Sequence, residues 1–196
     1  MALTKQAKAL SDKQIKNAIS RMNDYRKTNR NTAIIELTLY AGLRAKEVSG
    51  LCWGHILDEN KQISSEIRLT DDISKGKSGG IIPLHPKLKE TLSLLLSEAN
   101  GDDILKKNVI RSSTGRGMKT QSVINFLFAH YKKCDIQGAS SHSGRRTFIT
   151  NAARKISSVG GSIRDVQHLA RHSNLQTTQL YVDTNSEAQK AVINLL

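Results

Sequence analysis

Apolar positions in this chain recur mainly at spacings of three and four, the period of an amphipathic helix. Ser11-Asp-Lys-Gln14 has the spacing of a capping box and predicts a helix running to about Tyr25. Thr32 to Ala41 (TAIIELTLYA) predicts a buried helix, with Gly42 as its stop. Glu47 to Leu51 predicts another turn or two, with Trp53 packing behind it. Helical spacing returns at Lys87 to Glu98, carried by Leu88, Leu92, Leu95 and Leu96. It returns again at Lys119 to Cys134, with Val123, Ile124, Leu127 and Phe128 expected inward. After a break at Gly138 to Ser141, helices are expected over His142 to Lys155 and Ser162 to Ala170. A short one over Asn174 to Val182 would carry Tyr181.

From Gln62 to Leu84 the pattern changes. Ile63, Ile67, Leu69 and Ile73 are interrupted by polar residues, a turn-rich Lys75-Gly-Lys-Ser-Gly-Gly80 follows, and Ile81-Ile82-Pro83-Leu84 closes the stretch. Two or three short antiparallel strands are expected here. The fold class is therefore mainly α with a small antiparallel β-sheet. No linker divides the chain, so residues 1–196 read as a single domain.

Charge narrows the choice of partner. Thirty Lys and Arg against seventeen Asp and Glu leave a formal net charge of +13. Such an excess favours a polyanion, nucleic acid before an anionic membrane surface. The cations are spread along the chain, so a whole basic face is expected rather than a basic tail. Cys52 and Cys134 form no C-x-x-C pair, which implies neither a disulfide framework nor a zinc site and fits a reducing cytoplasm. The N-terminus lacks the apolar core of a signal peptide. No apolar run approaches the ~20 residues of a membrane span.

Several residues carry reactive side chains in unusual settings. Gly42-Leu-Arg44-Ala-Lys-Glu47, His142-Ser-Gly-Arg145-Arg146 and His172…Tyr181 supply two imidazoles, guanidiniums and a phenol, and the glycine-rich turn supplies lysines. Arginine forks bind phosphate oxygens in pairs. Histidine exchanges protons near neutrality. A phenol is a far more acidic nucleophile than an alkyl alcohol. Together these groups can break and rejoin a phosphodiester without a metal. Each alone has an ordinary reading. Tyr181 could be a packing residue, His172 a helix-end group, Arg44 and Glu47 an i,i+3 ion pair, and Arg145 and Arg146 a solvated face.

The combination resembles the catalytic domain of the tyrosine recombinases, the phage-integrase family. The first box stands as Gly42-Leu43-Arg44-Ala-Lys-Glu47-Val48-Ser-Gly-Leu51. The lysine turn and strand end stand as Lys75-Gly76 and Ile82-Pro83-Leu84. The second box is His142-Ser-Gly-Arg145-Arg146-Thr147-Phe148-Ile-Thr150. The third is Leu169-Ala-Arg171-His172-Ser173 through Thr177-Thr178-Gln-Leu-Tyr181. The likeness covers about Ser11 to Thr184. It implies that Tyr181 attacks the scissile phosphate to form a 3′-phosphotyrosyl link, and that Arg44 and Arg145 clamp the nonbridging oxygens. It further implies that Lys75 protonates the 5′-oxygen, with Lys77 as its competitor. His142 would act as general base or acid on the tyrosine, His172 would hydrogen-bond the phosphate, and Glu47 would orient the arginines.

Two positions depart from the family pattern: Gly144 stands for the usual leucine and Arg171 for the usual glycine before His172. A third departure is length, because most members carry an N-terminal core-binding domain for which this sequence has no counterpart. Either a naturally short enzyme or a fragment fits that reading. By resemblance the chain is expected to be a site-specific recombinase or integrase, with no cofactor and no metal. It would act on double-stranded DNA as a homo-tetramer, with accessory DNA-bending proteins as further candidate partners. The tail, residues 185–196, has an apolar stripe (Ala188, Val192, Ile193, Leu196) that packs either on its own domain or on a neighbouring protomer. Type IB topoisomerase-like relaxation and a binding-only DNA regulator are the competing expectations.

Overall fold

A computed structural model describes residues 7–74, 79–99, 103–182 and 193–194. The fold is organised around one helix, α2 (Thr28–Tyr40), which is buried on nearly every side: Ala33, Ile34, Ile35 and Leu37 are all fully excluded from solvent. Residues with this apolar content can be covered only by neighbours on several sides. α4 (Pro86–Ser97) covers one flank and α6 (Ser143–Lys155) another. α1 (Asp12–Ser20) opens with the expected capping box, Gln14 N–H donating to Ser11 Oγ and Ser11 N–H to Gln14 Oε1. The helix expected to reach Tyr25 instead tightens into a 3₁₀ turn at Arg21–Asp24. There the Ser20 hydroxyl donates to the Asn17 carbonyl, a side-chain bond that competes with the helical ladder.

α1 docks on α5 (Thr120–Lys133) through polar anchors. Buried His130 hydrogen-bonds the Ala18 carbonyl at 2.8 Å and the Tyr25 hydroxyl at 3.0 Å, and the Asn17 amide donates to the Cys134 carbonyl. Phe128, expected inward on α5, is 57% exposed. The buried face of α5 runs through Val123, Leu127, His130 and Tyr131. At 100° per residue, Phe128 stands about 140° round the helix from Val123, beyond that face.

The sheet holds two strands among the described residues, β1 (Glu66–Leu69) and β2 (Gly80–Pro83), antiparallel with Ile67 opposite Ile82. Both of those isoleucines are buried, while Ile81, next to Ile82 on β2 and opposite Arg68, faces out. The turn residues 75–78, and with them Lys75 and Lys77, lie outside the described residues, as do Ala188, Val192 and Leu196 of the tail. No helix among the described residues is long and apolar enough to cross a membrane.

Two junctions place the chemistry. α2 stops at Tyr40, Gly42 two residues on lies in the left-handed region at φ 62°, and Leu43 N–H donates back to the Leu37 carbonyl. This reversal starts α3 (Ala45–Gly50) with Arg44 as its N-cap, and α3 packs against α5. On the far side of α6, a small second core of Ile149, Val166 and Ala170 joins α6 to α7 (Ile163–Ala170). Phe148, Ile156 and Tyr181 pack around it.

Candidate active site

The site assembles from four stretches of chain. The start of α3 supplies Arg44 and Glu47, and the first turn of α6 supplies His142, Arg145 and Arg146. The turn after α7 supplies Arg171 and His172. α8 (Leu175–Gln179) leads into Tyr181. Arg44, His142, Arg145, Arg146, His172 and Tyr181 line one open cleft of about 480 Å³.

Glu47 is the anchor. Its carboxylate is fully buried, yet it has three donors: Arg44 N–H and Arg171 Nη2 on Oε2 at 2.8 and 2.7 Å, and Arg44 Nη1 on Oε1 at 2.8 Å. The i,i+3 pairing of Arg44 with Glu47 is therefore also a helix cap, since the carboxylate satisfies a backbone donor at the N-terminus of α3. Arg145 is fixed differently. Its Nη1 donates to the Gly42 carbonyl at 2.5 Å and its Nη2 to the Ala170 carbonyl. The two guanidiniums are thus held by the turn that follows α2, the end of α7 and a buried acid. Burial, with the charges of Arg44 and Arg171 next, pulls the Arg145 pKa down to about 9, so it stays cationic at neutral pH.

His172 is half-buried, and its Nδ1 lies 2.9 Å from Thr178 Oγ1 on α8. Burial and then the positive charge of Arg145, Arg44 and Arg171 lower its pKa to about 4, so the ring is neutral at pH 7. Its ring lies against that of Tyr181, centroids 5.8 Å apart and 29° between planes. The Arg146 guanidinium sits 5.3 Å from the Tyr181 ring centroid on a face of the phenol. Tyr181, expected within a helix over Asn174 to Val182, lies beyond its end. α8 stops at Gln179, and Tyr181 N–H donates to the Thr178 carbonyl, which closes a tight turn. His142 is exposed at the N-cap of α6 and faces the same cleft. Among the described residues, no group of three or more His, Cys, Asp or Glu side chains is arranged to hold a metal ion.

Three contributors were not singled out from the sequence as site residues. Thr178 is fully buried and fixes His172. Arg146 lies on the tyrosine ring. Arg171 occupies the left-handed conformation, φ 53° and ψ 46°, where a helix end ordinarily places glycine. For a residue with a β-carbon that conformation costs about 1 kcal/mol. Its charge is spent on Glu47, 124 positions away in sequence. The signals in the sequence were the second arginine of the second box, the Thr-Thr before the tyrosine and the arginine in place of glycine.

A mainly helical fold with a small antiparallel sheet and this arginine–histidine–tyrosine cleft defines the class. The chain belongs to the phage integrase family, whose model matches residues 8–188. Among relatives, it is 27% identical over 165 residues to tyrosine recombinase XerD of Chlamydia trachomatis serovar D, covering 82% of this chain and 50% of that protein. It is 30% identical over 152 residues to tyrosine recombinase XerC of Actinobacillus pleuropneumoniae serotype 7, covering 78% of this chain and 46% of that one. The chain thus spans about half the length of these relatives. In fold it is similar to the crystal structure of XerA recombinase, with TM-score 0.72 and 23% identity, covering 100% of this chain and 65% of that one. It is also similar to the Tn1549 transposon integrase in complex with a circular intermediate DNA, with TM-score 0.77 and 20% identity, covering 99% and 67%.

Proposed function

We propose that this chain cleaves and rejoins DNA strands as a site-specific recombinase, through a 3′-phosphotyrosyl intermediate. The observation that carries this reading is the meeting of Arg44, Arg145, His172 and Tyr181, from four separate stretches of chain, at one open cleft. The +13 charge supplies the attraction for a polyanion. The Tn1549 integrase, similar in fold, holds DNA in its own structure.

In the reaction, Tyr181 Oη adds to the scissile phosphorus, and the P–O5′ bond breaks. His142 takes the phenolic proton, and Lys75 gives one to the departing 5′-oxygen, a role assigned from its register in the sequence. Arg44 and Arg145 carry the charge that builds on the nonbridging oxygens, each already oriented before DNA arrives. His172 is neutral, so with the Thr178 hydroxyl donating to Nδ1 the ring proton sits on Nε2 and is available to a phosphate oxygen. Attack by another strand's 5′-hydroxyl reverses the steps and restores the phenol. Bond energy is kept in the phosphotyrosine, so no nucleotide is consumed. Exchange between two duplexes requires four such sites, hence a tetramer on DNA, with DNA-bending partners as accessories.

The test uses nicked duplexes drawn from the DNA flanking the native gene. The nick lets the short 5′-hydroxyl fragment diffuse away and traps the covalent species. The native chain is expected to yield a protein–DNA adduct stable to denaturing gels, and Tyr181→Phe to bind the same duplex without an adduct. Cleavage by the phenylalanine variant, or no adduct on any such duplex with native protein, would overturn the reading.

A further inference from the structure

Arg171 has a part that the proposed reaction leaves unassigned. It is a cation held almost wholly out of water, its side chain 4% exposed, in a backbone conformation that suits glycine. Only one of its three guanidinium nitrogens has a partner: Nη2 on Glu47, while Nε and Nη1 are buried with no hydrogen bond. Burying a charge with two donors unpaired costs stability, and the one contact made against that cost is with Glu47. That contact reaches the acid that holds Arg44. With Arg171 in place, Glu47 Oε2 accepts two bonds, from Arg44 N–H and Arg171, while Oε1 accepts Arg44 Nη1. Without it, the carboxylate is tied to α3 alone and can turn with the exposed part of Arg44. The stem of Arg171 meanwhile lies over Gly80 of β2, and the next residue in sequence is His172. One side chain therefore joins the end of α7, the start of α3 and the β2 strand.

We propose that Arg171 is a positioning residue for the strand-cleavage reaction, resting on the function proposed above. It acts through Glu47 to hold the Arg44 guanidinium and, through the α7 turn, to hold His172. Its charge also contributes to keeping the His172 ring neutral, behind burial, Arg145 and Arg44.

Arg171→Gly separates this role from a structural one, because glycine relieves the left-handed backbone while deleting the contact. Arg171→Lys keeps a cation within reach of Glu47. Three measurements are made on the full chain. The first is the single-turnover rate of adduct formation on the nicked duplex. The second is the dissociation constant for the same duplex with Tyr181→Phe added to block cleavage. The third is the NMR titration of His172 without DNA. The glycine variant is expected to retain a cooperative melt and to bind DNA within about threefold of its parent. Its adduct rate should fall on the order of 10- to 100-fold, with His172 titrating at higher pH. The lysine variant should recover part of the rate. A glycine variant with native rate and an unmoved His172 titration would sink the proposal, as would a rate loss wholly matched by lost folding. If native protein makes no adduct, the reaction itself is wrong, and the His172 titration still decides whether Arg171 acts on its neighbour.

Discussion

Substituting Gly144 with alanine sets two physical effects against each other. Gly144 lies in the first turn of α6, one residue before Arg145, and is buried against α2. Considered as a helix residue alone, it should be improved by alanine, by about 1 kcal/mol. The packing says the opposite. A β-carbon at 144 would lie 2.1 Å from Thr38 Oγ1, 2.7 Å from Thr38 Cβ and 3.3 Å from the Thr38 backbone carbon. Thr38 has no easy retreat, since it is fully buried and its hydroxyl donates to the Ile35 carbonyl at 2.8 Å. Helices α2 and α6 would have to part by about 1 Å to restore van der Waals contact. Overpacking of this kind costs about 1–3 kcal/mol and here falls at the upper end, so it outweighs the propensity gain. A net loss of about 1–2 kcal/mol in a chain of this length lowers Tm by roughly 2–8 °C. The same displacement moves Arg145 relative to Gly42, whose carbonyl it holds, and about 1 Å at a reacting centre costs on the order of 100-fold in rate. Thermal melts and single-turnover adduct formation check both figures. Thr38→Ala removes the nearest atom, so the double variant should recover part of the loss, and a thermodynamic cycle measures the coupling. A Gly144→Ala protein that melts higher than native and cleaves at the native rate would refute this packing argument.

Arg145→Lys keeps the charge but cannot reach the Gly42 and Ala170 carbonyls while presenting a fork to phosphate; adduct formation should drop about 100- to 1000-fold, with DNA affinity little changed, by rapid-quench assay. Gly42→Ala places a β-carbon 2.4 Å from the Phe148 ring in a left-handed backbone, so urea midpoints should show a loss of about 2 kcal/mol or more. Glu36, buried in α2 with Oε2 unpartnered, has its pKa raised by burial from 4.5 to about 7. A raised carboxyl pKa means that the folded state binds the proton more tightly. The penalty is therefore absent below about pH 4.5, grows as pH rises, and is complete above about 7. Glu36→Gln should thus gain stability relative to native by about 2.5 kcal/mol more at pH 8 than at pH 5. Urea midpoints at the two pH values test this, and an identical difference in both proteins would refute it.

Periodicity sufficed for the helices because burial of a stripe at 3.6-residue spacing is a local requirement. TAIIELTLYA, with apolar residues on most sides, reads as a buried helix, and α2 is buried. Phe128 shows the limit, since an apolar residue at the edge of a stripe is buried only if a neighbouring element reaches it. α8 shows another, since five residues carry too little pattern to say whether Tyr181 falls inside the helix or in the turn beyond it.

The boxes around Arg44, Arg145, His172 and Tyr181 named the groups that meet at the cleft, because side-chain identity is read directly from the chain and each box is contiguous in it. The family match and the positive charge were likewise legible there. Tertiary structure alone decided that Arg145 rests on carbonyls from the α2–α3 turn and the end of α7, that Gly144 is glycine because of Thr38, and that Arg171 spends its charge on Glu47. Those are contacts between positions 25 to 124 residues apart. Local sequence fixes what a residue can do, while the close approach of two backbones, which no spacing rule encodes, fixes what it meets.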